Sequence, residues 1–331
     1  MTAPAPRSTP PNGASRWRGF ALRTGVTVVA LGSLIAIASP SELLDTMRGV
    51  PASVWLSTAA GLLAGHCAAA LKWRNLVGAA GAASSPLQAL RAHAAGLFAN
   101  LFLPSLVGGD VVRATVLLRS GNRSTLAAVA AGSVADRLID TLALGALAAC
   151  GALLVEQPAS TPPLGGIAAL CIGLLLLTAF GPALLERLPI DRLPAGGQRA
   201  TRGLRDAATR LRARPGAAVV ALGVSLTVQF GFVWLNVRLG TAIGIAAPFG
   251  AWLLCWPLAK LFALLPISLG GLGVREAALA ALLSGFGVSA TLAVGQALLW
   301  QAALLFAGGI AGAFALTRLR ELQTDTVGPA R

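Results

Sequence analysis

Charge is scarce in this chain. Only 11% of its 331 residues are Asp, Glu, Lys or Arg, where a soluble domain carries about a quarter. Acid is scarcest, with 12 Asp and Glu against 26 Lys and Arg. Reactive side chains are few as well. Cys67, Cys150, Cys171 and Cys255 each lie inside an apolar stretch with no CxxC or Cys/His spacing, so they read as small packing residues rather than disulfide or zinc ligands. His66 and His93 stand alone, neither with a carboxylate at helical spacing. HExxH, GxSxG and a Walker-type glycine loop are all missing. No catalytic residue, metal or cofactor is therefore expected.

Apolar sequence fills the space instead. The chain is 56% hydrophobic with a mean hydropathy of +0.75, which predicts an all-α polytopic membrane protein. A net charge of +14 would suit nucleic acid, but the arginines sit in the gaps between apolar runs, where positive charge sets topology instead. Six full spans are predicted at about 24–39, 52–71, 125–155, 164–185, 217–237 and 291–316. The first could also be read as a signal peptide, since Ala36-Ile37-Ala38 resembles a cleavage site; an uncleaved anchor fits its length better. A Gly61/Gly65 spacing in the second predicts a close helix contact, and Lys72, Trp73 and Arg74 are expected to close it at the cytoplasmic surface. Residues 1–15 read as a disordered cytoplasmic tail, 16–320 as one transmembrane domain with halves at about 20–155 and 164–316, and 321–331 as a C-terminal tail. The linker 187–214 holds eight arginines, with Leu204, Ala208 and Leu211 on one helical face. It is either an amphipathic helix on an anionic leaflet or a solvated basic loop.

One passage occurs twice. Residues 103–113 read LPSLVGGDVVR and residues 265–275 read LPISLGGLGVR, so that Pro104 matches Pro266, Gly108-Gly109 matches Gly270-Gly271, and Arg113 matches Arg275. Each copy breaks an apolar stretch, at 88–123 and 249–287, and each is predicted to dip into the membrane and return. Paired broken segments in two halves point to an inverted repeat with a binding site at its centre. A plain hydropathy count would give seven or eight helices.

Charges inside membrane segments are costly and usually mark a site. Here they are Asp110, Arg113, Asp136, Arg137, Asp140, Lys260, Arg275 and Glu276. Two readings stand together. One is an internal ion-pair network, for example Asp136 with Arg113 or Asp140 with Arg275. In the other, Arg113, Arg137 and Arg275 offer donors to a phosphate, oriented by the carboxylates, and Gly108, Gly109, Gly270 and Gly271 add backbone N–H groups at helix starts.

At these residues the sequence resembles a known family. Asn100-x3-Pro104-x3-Gly108-Gly109-Asp110-x2-Arg113, then Asp136-Arg137, then Pro266-x3-Gly270-Gly271-x-Gly273-x-Arg275-Glu276 are similar to the membrane region of lysylphosphatidylglycerol synthases. The resemblance spans about residues 20–318 and implies a flippase-like helical domain that moves or houses a lipid with a charged headgroup. Only eleven residues follow Arg320, so a stand-alone member without the synthase domain is expected. The resulting expectation is a flippase-like transporter in a bacterial inner membrane, both termini cytoplasmic, binding a phosphate-bearing headgroup through the charged residues and glycines named above. The rival expectations are a secondary transporter of a small anionic solute, a polytopic lipid-head or glycosyl transferase, or a scaffold for a partner enzyme. A phospholipid or lipid-linked partner, an anionic leaflet and a homo-oligomer are compatible with the first; nucleic acid is not.

Overall fold

The computed structural model describes residues 47–103, 106–119, 126–156, 194–264 and 273–324, with Gly25, Gly32, Leu44, Asp45, Gly166 and Gly173 as isolated positions. The spans predicted at 24–39 and 164–185, the tail 1–15, Cys171, Pro104, Pro266, Gly270 and Gly271 lie outside the described residues. Within them the chain is all helix: α1 Ala52–Ala79, α2 Pro86–Ala99, α3 Leu106–Arg119, α4 Leu126–Leu154, α5 Ala195–Arg212, α6 Pro215–Ala242, α7 Phe249–Phe262, α8 Val274–Ser284 and α9 Ala290–Thr324. Four of these are long and apolar enough to cross a membrane, namely α1, α4, α6 and α9 over Ala290–Thr317. The chain is thus a multi-pass helical membrane protein.

One span boundary needs correction. α1 does not stop before Lys72 but runs to Ala79, so Lys72 is interior rather than a surface anchor. The span of α9, Ala290–Thr317, matches the predicted 291–316, and the helix itself continues to Thr324, into the predicted tail.

The broken segments form short helices. At 14 residues each, α2 and α3 reach only about 21 Å, too little for a hydrocarbon core of about 30 Å. A capping box starts α2, with Ser85 Oγ accepting from the Gln88 N–H at 3.2 Å and Gln88 Oε1 accepting from the Ser85 N–H at 2.9 Å. The chain then reverses. Gly109 N–H donates to Asn100 Oδ1 at 2.9 Å, a methyl group on Gly96 would fall 2.7 Å from the Gly109 carbonyl oxygen, and Arg113 meets His93 further back along α2. Ascending numbers on α3 thus meet descending numbers on α2, the geometry of a dip and return.

The two halves also pack alike. If α1, α2, α3 and α4 are matched with α6, α7, α8 and α9, each packing has its counterpart: α2 on α9 and α7 on α4, α2 on α3 and α7 on α8, α1 on α2 and α6 on α7, α1 on α9 and α6 on α4. The equivalent spans α1 and α6 are antiparallel neighbours. Their contacts run from Ser57 with Arg238, through Gly61 with Leu235 and Gly65 with Phe232, to Asn75 with Ala217. Antiparallel equivalents are what an inverted-topology repeat produces. Gly61 and Gly65 act as notches that receive the large side chains of α6.

Burial follows the same logic. α7 is enclosed from Gly250 to Ala259, as a helix apolar on all sides should be. Large apolar side chains such as Leu71, Val134, Val219, Trp234 and Ile310 are exposed on the outer faces, where lipid would meet them. The basic linker adopts the helical alternative. α5 turns Ala207 and the half-buried Leu211 toward the bundle against α4, so protein takes the apolar edge that the amphipathic reading gave to a leaflet.

Close approach makes one stability test. In α4, a methyl group on Gly151 would fall 2.6 Å from the Leu253 carbonyl carbon and 2.8 Å from the Gly250 carbonyl oxygen of α7, whereas nothing lies near Gly223 on α6. Alanine favours helix by up to about 1 kcal/mol over glycine, and overpacking costs about 1–3 kcal/mol. Gly223→Ala should melt in detergent at or slightly above the wild-type temperature and Gly151→Ala below it. Equal or higher melting for Gly151→Ala would refute the tight α4–α7 crossing.

Candidate functional site: charged side chains around a buried cavity

Asp136 and Asp140 stand one turn apart on α4 and so share a face. Lys72 of α1 sits between them. Its ammonium is 3.0 Å from Asp136 Oδ1, donates to Asp140 Oδ1 and donates to Ser225 Oγ of α6 at 2.9 Å; that hydroxyl donates in turn to Asp140 Oδ1 at 2.7 Å. Arg113 of α3 approaches Asp136 from the other side. Both terminal nitrogens lie 3.3 Å from Asp136 Oδ2, and Nη2 is 3.1 Å from Asp110 Oδ1. The guanidinium carbon is 4.4 Å from the centre of the Trp73 ring, a cation–π contact. Asp110 then holds Arg137 through two bonds of 2.7 and 2.8 Å. Three cations and three carboxylates from three helices close into one neutral network. Lys72, Arg113 and Asp136 are buried; Arg137, with 43% of its side chain exposed, is the member that reaches open space.

A second group faces it from the other half. Lys260 of α7 donates to Gln229 Oε1 of α6 at 2.8 Å and lies 5.1 Å from the centre of the Phe232 ring. Arg275 of α8 binds Glu276 and donates to Gln301 Oε1 of α9 at 2.7 Å. Glu276 also accepts from the Gly273 N–H at 2.8 Å. Gly273 has φ +81°, a backbone region open mainly to glycine, and this turn brings its N–H onto the carboxylate that starts α8.

Between the two groups lies a cavity of about 250 Å³, comparable with the lower end of small-ligand pockets. Of the residues singled out in the sequence, Gly109, Asp110, Arg113, Asp136, Arg137, Asp140, Lys260 and Arg275 line it. Glu276 stands behind Arg275. Gly108 is not in the lining; it packs against Leu103.

Particular expectations change here. Asp136 pairs with Arg113 as one reading predicted, but Asp140 pairs with Lys72 and not with Arg275. The N–H of Gly109 is taken by Asn100, so it is a structural cap rather than a donor for an anion. Lys72, Ser225, Gln229, Gln301 and both histidines join the cavity without having been foreseen. Lys72 could have been suspected, because an apolar helical run continues past it to Ala79. The histidines gave no signal, since one sits on α1 and the other on α2, and only packing brings Nε2 of His93 to 3.4 Å from Nδ1 of His66.

The arrangement has donors to spare. Five cations line or adjoin the cavity against four carboxylates, and Lys260 is the cation that makes no ion pair among the described residues. Arg113 Nε and Trp256 Nε1 are buried without an acceptor among them. An acceptor-only, negatively charged group is the chemical complement.

Removing one side of a buried ion pair strands the other, at about 3–5 kcal/mol. Lys72→Met should therefore lose stability on that scale in detergent melting, and adding Asp140→Asn should recover part of the loss. A Lys72→Met protein that melts like wild type would contradict the network.

Comparison with curated proteins gives no match. The family described as the lysylphosphatidylglycerol synthase TM region matches residues 20–312, nearly the whole chain and all nine described helices at least in part. This chain belongs to that family.

Proposed function

We propose that the protein is a lipid carrier of a bacterial inner membrane that receives a phosphate-bearing headgroup in the cavity and exchanges it between leaflets, with no chemistry performed on it. The observation that carries the reading is the charge balance: Lys260 faces the cavity with an amide oxygen and an aromatic ring as its partners, leaving its charge for a ligand. Arg137 is the second contact, since it is already oriented by Asp110 and half-exposed. Arg113 contributes positive potential from behind, because its terminal nitrogens are engaged by carboxylates. This refines the earlier expectation of three equivalent arginines. Acyl chains would stay in the bilayer, as a cavity of about 250 Å³ suits a headgroup and not two tails.

The inverted halves supply a route for alternating access, by rocking about the shared site. Both termini would be cytoplasmic, with the basic face of α5 on the anionic leaflet, where each arginine near the surface is worth about 1 kcal/mol.

The test uses vesicles of phosphatidylcholine with labelled phosphatidylglycerol. Wild type should exchange the labelled lipid faster than empty vesicles. A hydrogen bond to a charged group is worth about 1.5–3 kcal/mol, so Lys260→Gln should weaken binding of the anionic lipid by about 10- to 150-fold. Arg238→Gln, on the outer part of α6, should not. Wild-type exchange at the empty-vesicle rate refutes lipid transfer. Uptake of glycerol phosphate without lipid exchange would make the protein a transporter of small anions instead, and a modified lipid product would make it an enzyme.

A further inference from the structure

The histidines define a site of their own. Nη1 of Arg113 lies 3.5 Å from Nδ1 of His93, and Nε2 of His93 lies 3.4 Å from Nδ1 of His66. A guanidinium has donors only, so Nδ1 of His93 must accept. The proton of His93 is then on Nε2 and points to His66, whose own proton is on Nε2. That assignment makes a neutral pair with two acceptor nitrogens: Nδ1 of His66 faces His93, and Nδ1 of His93 faces an arginine that lines the same cavity.

We infer that His93 is the proton site that couples this carrier to a proton gradient: it takes up a proton when an anionic headgroup enters and gives it back when the headgroup leaves. The inference rests on the anion reading above. On entry the Arg113 nitrogen releases Nδ1 of His93 and stays on Asp136. A hydronium ion then gives its proton to Nδ1 of His93, its O–H bond breaking as the N–H bond forms, and the resulting imidazolium donates through Nδ1 to the anion and through Nε2 to His66. On release that N–H bond breaks, the proton returns to water, and Arg113 resumes its place. No other bond changes.

The surroundings favour the exchange. From α1 the pair faces Lys72, from α3 Asp110 and Arg113, and from α4 Asp136, Arg137 and Asp140. From α7 and α8 it faces Lys260 and Arg275, the latter with Glu276 behind it. α6 and α9 add the neutral Ser225, Gln229, Phe232 and Gln301. The sum is one positive charge, so a proton entering alone would raise it to two. A proton entering with a singly charged anion leaves it at one. Each ligand thus improves the binding of the other, and linkage makes that improvement reciprocal. The group held neutral while the cavity is empty becomes charged once it is filled, so anion affinity rises as pH falls, by at most about tenfold per pH unit for one proton.

Calorimetry on the full chain in detergent tests this, with dihexanoyl phosphatidylglycerol as probe, in HEPES and in Tris, across a pH series. Wild type should show a buffer-dependent enthalpy corresponding to uptake of as much as about one proton per anion, with affinity rising toward acid. His93→Gln keeps an acceptor for Arg113 and a donor for His66 but does not titrate, so both dependences should vanish. His66→Gln keeps His93 and should retain them. Binding without proton uptake in wild type overturns the inference while leaving the carrier reading intact, as does equal uptake in wild type and His93→Gln. A wild type that does not bind the probe overturns both. The wild-type buffer comparison decides the matter even if His93→Gln fails to fold.

Discussion

The constraint on which the structure depends is the cost of holding charge inside an apolar bundle. An unpaired charge at the bilayer centre is expensive, and this chain brings Lys72, Arg113, Asp136 and Glu276 to buried positions. The solution is mutual neutralisation, with each carboxylate shared or capped: Asp136 between Lys72 and Arg113, Asp110 between Arg113 and Arg137, Asp140 between Lys72 and Ser225. Because the partners come from different helices, the network fixes how α1, α3 and α4 meet. Buried ion pairs are weak sources of net stability but severe penalties for mismatch, and that asymmetry favours one arrangement over others.

Symmetry does the rest. The antiparallel pairing of α1 with α6 and the matched contacts of the halves place the two broken segments on opposite sides of one cavity. The halves are alike in packing and unlike in charge. The first supplies a balanced network, the second supplies Lys260 without a counter-charge and Arg275 with one. A ligand-binding polarity therefore arises between equivalent elements, which a perfectly repeated sequence would lack. The proposed proton site lies between the network and the cavity, so ion pairing, anion binding and protonation would all act through the Arg113 guanidinium.

Much of the architecture was legible from residue order. Long apolar runs with arginines at their ends gave α1, α4, α6 and α9, and the doubled Pro/Gly passage gave the short helices on either side of each copy, because backbone geometry and hydropathy are local properties. The site was only partly legible. Asp136 and Arg113 were recognisable as intramembrane charges, and their pairing was one of few ways to neutralise them. Lys72 was misplaced, because a cation after an apolar run usually marks the membrane surface, whereas here the helix continues for two further turns. Gly109 looked like a backbone donor for an anion; its hydrogen bond to Asn100 makes it a cap.

Sequence alone thus determined the class of molecule, the family, the four spans that the described residues show and the inventory of costly charges, since each follows from neighbouring residues and the energy of transfer into lipid. Tertiary structure alone decided which charge meets which, that Lys260 is left facing open space, and that two solitary histidines become a pair. Those outcomes depend on contacts between helices far apart in the chain, and nothing in local composition encodes the distance between side chains that only packing brings together.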